Sequence, residues 1–107
     1  MNIIRKIIHL YQRHFLSFEQ QARKAGVIIG KGNQFLSNFW SSEPYLVEIG
    51  DNCQITAGVK IFTHGGAKVA RVKDPNFDCF GKVKIGSNVY IGTNSLIMPG
   101  VTVGDNV

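Results

Sequence analysis

The sequence holds 107 residues, 44% of them hydrophobic, which suits one small domain of ordinary apolar content. Two cysteines do not make a disulfide framework and no run reaches the roughly 18 apolar residues of a membrane span, so a reducing, cytoplasmic setting is expected. The net charge of +5 lies wholly in residues 1–31, six basic residues against Glu19, while residues 32–107 balance six against six; this neutral body argues against a nucleic-acid partner.

From the start, Ile4, Ile8, Tyr11, Phe15, Phe18 and Ala22 recur at spacings of four and three, one face of a helix. The segment MNIIRKIIHLYQRHF has neither the long apolar centre nor the small-residue cleavage site of a secretion signal. Ser17 with Gln20 forms a capping box, which predicts one helix over 3–15 and a second over 18–25, ended by Gly26. The apolar stripe is expected to cover a strand edge at the end of the following domain or on a neighbouring subunit. The basic residues read as a solvated helix surface, with weak contact to an anionic membrane as the alternative. His9 and His14 are assigned no role.

Residues 26–38, GVIIGKGNQFLSN, suggest an irregular opening turn, and between Phe39 and Val47 no period is kept. From Ile49 onward a period of six takes over. IGDNCQ, ITAGVK and IFTHGG begin at Ile49, Ile55 and Ile61; Ile85, Ile91, Ile97 and Val103 continue in the same phase after a gap of 24 residues, four periods of six. Neither a helix nor an alternating hairpin sheet produces this period, whereas a β-helix with one short strand and one turn per hexapeptide does. The aliphatic points inward, a small residue such as Cys53 packs beneath it, and Gly or Asn takes the corner. This divides the chain into helices over 1–26 and a repeat domain over 27–107. An excursion loop over about 65–82 contains the turn-rich KDPNFDCFG. The sequence stops at Val107 in mid-repeat, which predicts a truncated final turn.

IGDNCQITAGVKIFTHGG followed by IGSNVYIGTNSLIMPGVTVGDNV resembles the hexapeptide-repeat acyltransferases, in particular the galactoside, maltose and polysaccharide O-acetyltransferase group. The resemblance covers about three quarters of the chain. It implies an all-β core wound as a left-handed parallel β-helix behind the N-terminal α-helical segment, a homotrimer, and acetyl-CoA as co-substrate. The acceptor it implies is a hydroxyl of a sugar or surface-polysaccharide precursor. His64 is the sole histidine of the repeat domain and stands where the excursion loop begins. That setting matches the general base of the family.

Such chemistry needs a base because a sugar hydroxyl is a poor nucleophile at neutral pH and a neutral imidazole can take its proton during attack. A carboxylate is expected to orient the imidazole. Glu43, 21 residues earlier or one coil of 18 plus three, is the first choice, with Asp74 and Asp78 as rivals. Asn38, Trp40 and Tyr45 are candidate acceptor-binding residues, with a capping role as the alternative for the two aromatics. By the same resemblance Gly92 and Thr93 of IGTN contact the pantetheine arm, although the turn itself gives Gly92 a structural reason to be glycine. Cys53 faces inward and Cys79 has no base paired with it in sequence, so no acyl-enzyme is suggested.

A three-histidine zinc site, as in the carbonic anhydrases of similar repeat, is disfavoured because only His64 of the three histidines lies in the coils, and no metal is expected. The alternative to an enzyme is a trimeric scaffold, or a shortened and inactive acyltransferase.

Overall fold

The computed structural model describes residues 2–107, apart from the side chains of residues 12–15. The sequence readings that fall on Arg13, His14 and the Phe15 side chain lie outside the described residues.

Helix α1 (Ile3–Phe15) is capped by Asn2, whose Oδ1 accepts the Arg5 N–H at 2.9 Å. Helix α2 (Phe18–Ala25) opens on the reciprocal Ser17–Gln20 capping box and ends at Gly26, which turns left-handed at φ 112°. Both spans are those the spacing predicts. Helix α2 is fastened to the domain behind it: Ala22 is fully buried, and the Arg23 guanidinium donates to the carbonyls of Ile29 and Gly30. Among the described side chains of α1, Ile3, Ile4, Ile7, Ile8, Leu10 and Tyr11 stay exposed, so that part of the stripe does not lie on its own chain's domain end. The break at Ser17 separates the two helices, and the anchoring bonds come from the second.

Nine short strands follow: β1 (Ile28–Ile29), β2 (Gln34–Phe35), β3 (Val47–Ile49), β4 (Gln54–Ile55), β5 (Lys60–Ile61), β6 (Val83–Ile85), β7 (Tyr90–Ile91), β8 (Leu96–Ile97) and β9 (Thr102–Val103). They stack in parallel as three sheets, β1-β3-β6-β9, β2-β4-β7 and β5-β8, which are the faces of a β-helix. Ile49, Ile55, Ile61, Ile85 and Ile91 fill its interior together with Val47, Val59, Val83, Val89 and Cys53. Each backbone step is tied to the coil above or below, as where the Gly50 N–H donates to Ile85 and the Gln54 N–H to Val89.

The register explains the spacing. Ile85 pairs with Val103, 18 residues on, whereas Ile49 pairs with Ile85 and Ile61 with Ile97, each 36 apart. The excursion therefore takes up the length of one whole coil, and the phase of six survives across it. In the first coil Ile29 pairs with Ile49 at a separation of 20. The two extra residues reduce its third face to a single bridge, Phe39 to Lys60, followed by a 3₁₀ turn over Pro44–Leu46.

The corners are held mostly by asparagine. Asn52, Asn88 and Asn106 take φ between 55° and 61°, and Asn52 Nδ2 donates to Asn88 Oδ1 at 2.9 Å. Gly58 and Gly100 take the same left-handed form, at φ 74° and 82°, and the glycine after the aliphatic serves a second purpose: a Cβ on Gly50 would meet the carbonyl carbon of Gly86 at 2.8 Å, so its absence lets adjacent coils stack.

Candidate active site

The excursion is closed at its neck by two backbone hydrogen bonds, Gly81 N–H to Thr63 O at 2.8 Å and Gly65 N–H to Cys79 O at 3.2 Å. Inside it a single helical turn, α3 (Ala67–Ala70), reverses the chain. At the neck the His64 imidazole stacks on Phe80, with ring centroids 4.1 Å apart and 21° between planes.

Two carboxylates bracket this ring. Asp78 Oδ1 lies 2.7 Å from Nε2, and Glu43 Oε1 lies 3.5 Å from Nδ1. They are held differently. Glu43 Oε2 accepts from Ser42 Oγ and from Thr63 Oγ1, both at 2.8 Å, and Thr63 Oγ1 is itself 2.6 Å from Ser41 Oγ. Ser41 also accepts the Thr63 N–H, and it does so from a left-handed backbone, φ 73°, unusual for a residue with a side chain. Glu43 thus ends a polar relay rooted in the coil. Asp78, in contrast, sits on the excursion with Arg71 3.6 Å away and its own oxygen accepting the Cys79 N–H.

Partial desolvation pushes the Glu43 carboxyl up, but the two hydroxyl donors and the nearby imidazole outweigh it, leaving the group below the ordinary glutamate range. Asp78 is likewise lowered, first by its hydrogen bond to His64 and then by the Cys79 amide and Arg71, against some desolvation. Both groups are therefore negative at neutral pH.

Residues 82–107 match the family described as bacterial transferase hexapeptide (six repeats), and residues 47–62 match the hexapeptide repeat of succinyl-transferase. Protein CapG of Staphylococcus aureus is 50% identical over 88 residues, 78% of this chain and 51% of that protein. Galactoside O-acetyltransferase of Escherichia coli strain K12 is 35% identical over 77 residues, 70% of this chain and 38% of that protein. In its repeats and in these two relatives the chain is similar to the hexapeptide-repeat acyltransferases. It spans about half the length of CapG and less of the galactoside enzyme.

Against this family background the remaining sequence candidates separate. Asn38 is exposed, and among the described residues no hydrogen bond joins it to the His64 cluster. Trp40 is buried in the core, edge-on to Phe35 at 5.3 Å, with its Nε1 unpartnered; as folded here it presents no surface to an acceptor. Tyr45 is exposed in the 3₁₀ turn, its backbone beside Gly26. Thr93 is exposed and Gly92 half-buried at the corner after β7.

Gly92 departs from the structural reason given for it. The left-handed residue at that corner is Asn94, φ 62°, and a Cβ on Gly92 would meet nothing nearer than Tyr90 Cε1 at 3.8 Å. The turn itself therefore does not demand a glycine at 92. Ser41, Thr63 and Phe80 are the site residues the sequence reading passed over. Thr63 carried a signal, since a polar residue alternating inward with Val59 and Ile61 must find a partner.

Proposed function

We propose that this chain carries the acyl-transfer corner of an O-acetyltransferase that moves an acetyl group from acetyl-CoA to a hydroxyl of a sugar or surface-polysaccharide precursor. The observation that supports it most is the His64 imidazole at the excursion neck, bracketed by Glu43 and Asp78.

In this reading Glu43 is the orienting carboxylate, because its relay through Thr63 and Ser41 fixes it to the coil. Asp78 occupies the position the acceptor must take. The acceptor hydroxyl displaces it from Nε2, Asp78 turns to Arg71, and Nδ1–H then faces Glu43. Nε2 removes the hydroxyl proton as the oxygen attacks the thioester carbonyl, forming the C–O bond and a tetrahedral oxyanion. Collapse of that intermediate breaks the C–S bond, and the departing thiolate takes the proton back from the imidazolium. The sulfhydryl of Cys53 takes no part, since it is buried and directed at the carbonyl of Gly86.

The pantetheine arm passes Gly92 and Thr93 in a groove between two copies, the left-handed coils of a homotrimer supplying its walls. The outward Tyr90, Leu96 and Met98 support that path by offering apolar area for the neighbouring copy. Among the described residues no helix is long and apolar enough to cross a membrane, and the two cysteines are free, features in keeping with a cytoplasmic enzyme drawing on soluble acetyl-CoA.

Thiol release from acetyl-CoA, measured across a panel of sugar acceptors, tests the assignment. His64→Ala is expected to lower kcat/KM by about 10²- to 10⁴-fold with acetyl-CoA affinity retained by calorimetry. Glu43→Gln should lower kcat, while Asp78→Asn should leave kcat in place and change the acceptor KM. Unaltered turnover in His64→Ala would remove the histidine from the reaction, and a folded protein that binds no acetyl-CoA would point to a scaffold.

A further inference from the structure

Helix α1 carries more apolar surface than its own chain covers. Ile3, Ile4, Ile7, Ile8 and Leu10 are between 47% and 72% exposed. At 3.6 residues per turn they fall within an arc of roughly 160°, with Arg5, Lys6 and His9 on the opposite side. No acidic residue precedes Glu19. Lys24 of α2 adds to the same patch: it lines one groove with Ile7, Ile8 and Leu16, and a second with Arg5 and His9.

We infer that α1 lies in the surface of an anionic lipid bilayer, its isoleucines among the acyl chains and Arg5, Lys6 and Lys24 at the headgroups. The charge pattern selects this occupant. A second α1 laid against the first would bring like charges together with no acid between them, and an arc of this width exceeds the narrow seam of a two-helix contact. The repeat domain of another copy is balanced in charge and offers no excess of acid to the basic residues. A bilayer of anionic lipid supplies both a broad apolar phase and the complementary charge, and the long Lys24 stem can run along the apolar groove with its ammonium at the surface. Arg23 is not part of the patch, being engaged with Glu19 and the Ile29 and Gly30 carbonyls.

Flotation of the whole chain with vesicles of phosphatidylcholine, alone or mixed with phosphatidylglycerol, tests this, with light scattering to follow the oligomer mass. Binding is expected to be about tenfold or more stronger to the mixed vesicles and to weaken with added salt. The double substitution Ile4→Asp with Ile8→Asp should reduce that binding at least about tenfold and leave the oligomer mass unchanged, and Arg5→Gln with Lys6→Gln should remove the preference for anionic lipid. Absence of vesicle binding by the unaltered chain overturns the inference. So does a fall in oligomer mass in the isoleucine variants, which would assign the face to a second copy.

Discussion

The regular coils and the His64 neck are built from the same chain by opposite means. In the coils the backbone supplies most of the hydrogen bonds and aliphatic side chains fill the interior, so each hexapeptide repeats the last. At the neck the decisive bonds run between side chains, Ser41 to Thr63 to Glu43 and Asp78 to His64, and three of those residues come from segments that break the period. Regularity provides burial, and departure from it places charge. Stability and chemistry should accordingly respond to different substitutions.

The largest effect on stability is expected in the interior. Ile55 is fully buried, and Ile55→Ala should cost about 2–5 kcal/mol in denaturant unfolding, lowering activity only through the unfolded fraction. Were the site to lose turnover while the fold kept its stability, the two regions would not be separable. A sharper comparison uses two glycines of equivalent pattern position. Gly50→Ala forces a Cβ against the Gly86 carbonyl and should destabilise by about 1–3 kcal/mol. In the 107-residue chain a Cβ on Gly92 meets nothing nearer than 3.8 Å, so Gly92→Ala should there change stability by no more than about 0.5 kcal/mol while weakening acetyl-CoA binding in calorimetry.

The smallest effect concerns pH. Glu43 and Asp78 both ionise below the ordinary carboxylate range in the folded protein, so what they add to folding is present above the unfolded values, near pH 4, and is lost as pH falls through the lower folded ones. Amide exchange at Gly65 and Gly81 should therefore accelerate on acidification below roughly pH 4, relative to Gly50 and Gln54 in the coils. Equal acceleration in both places would mean that the carboxylates do not hold the neck.

Much of this architecture is legible in the sequence because a period of six imprints itself on the positions of the isoleucines. The pairing of Ile61 with Ile97 follows from phase alone. Glu43 was reachable by counting one coil plus three, although the length does not tell a carboxylate that touches Nδ1 from one that touches Nε2. Asp78 and Phe80 could not be ranked, since the excursion has no period and its fold depends on contacts across the neck. Trp40 was misleading for the same reason: in a coil two residues longer than the rest, inward and outward positions cannot be assigned by alternation, and the indole turns into the core. The packing of α1 was beyond reach because an apolar stripe records that a face is to be covered and not what covers it.

The neck has an evolutionary corollary. Because the segment between Thr63 and Gly81 enters and leaves through paired backbone hydrogen bonds, the winding on either side is indifferent to what the loop contains. Residues there other than His64, Asp78 and Phe80 can be exchanged, lengthened or shortened as a cassette without asking any buried isoleucine to move. A new acceptor preference can thus arise in a single insertion while the scaffold that presents it is inherited intact.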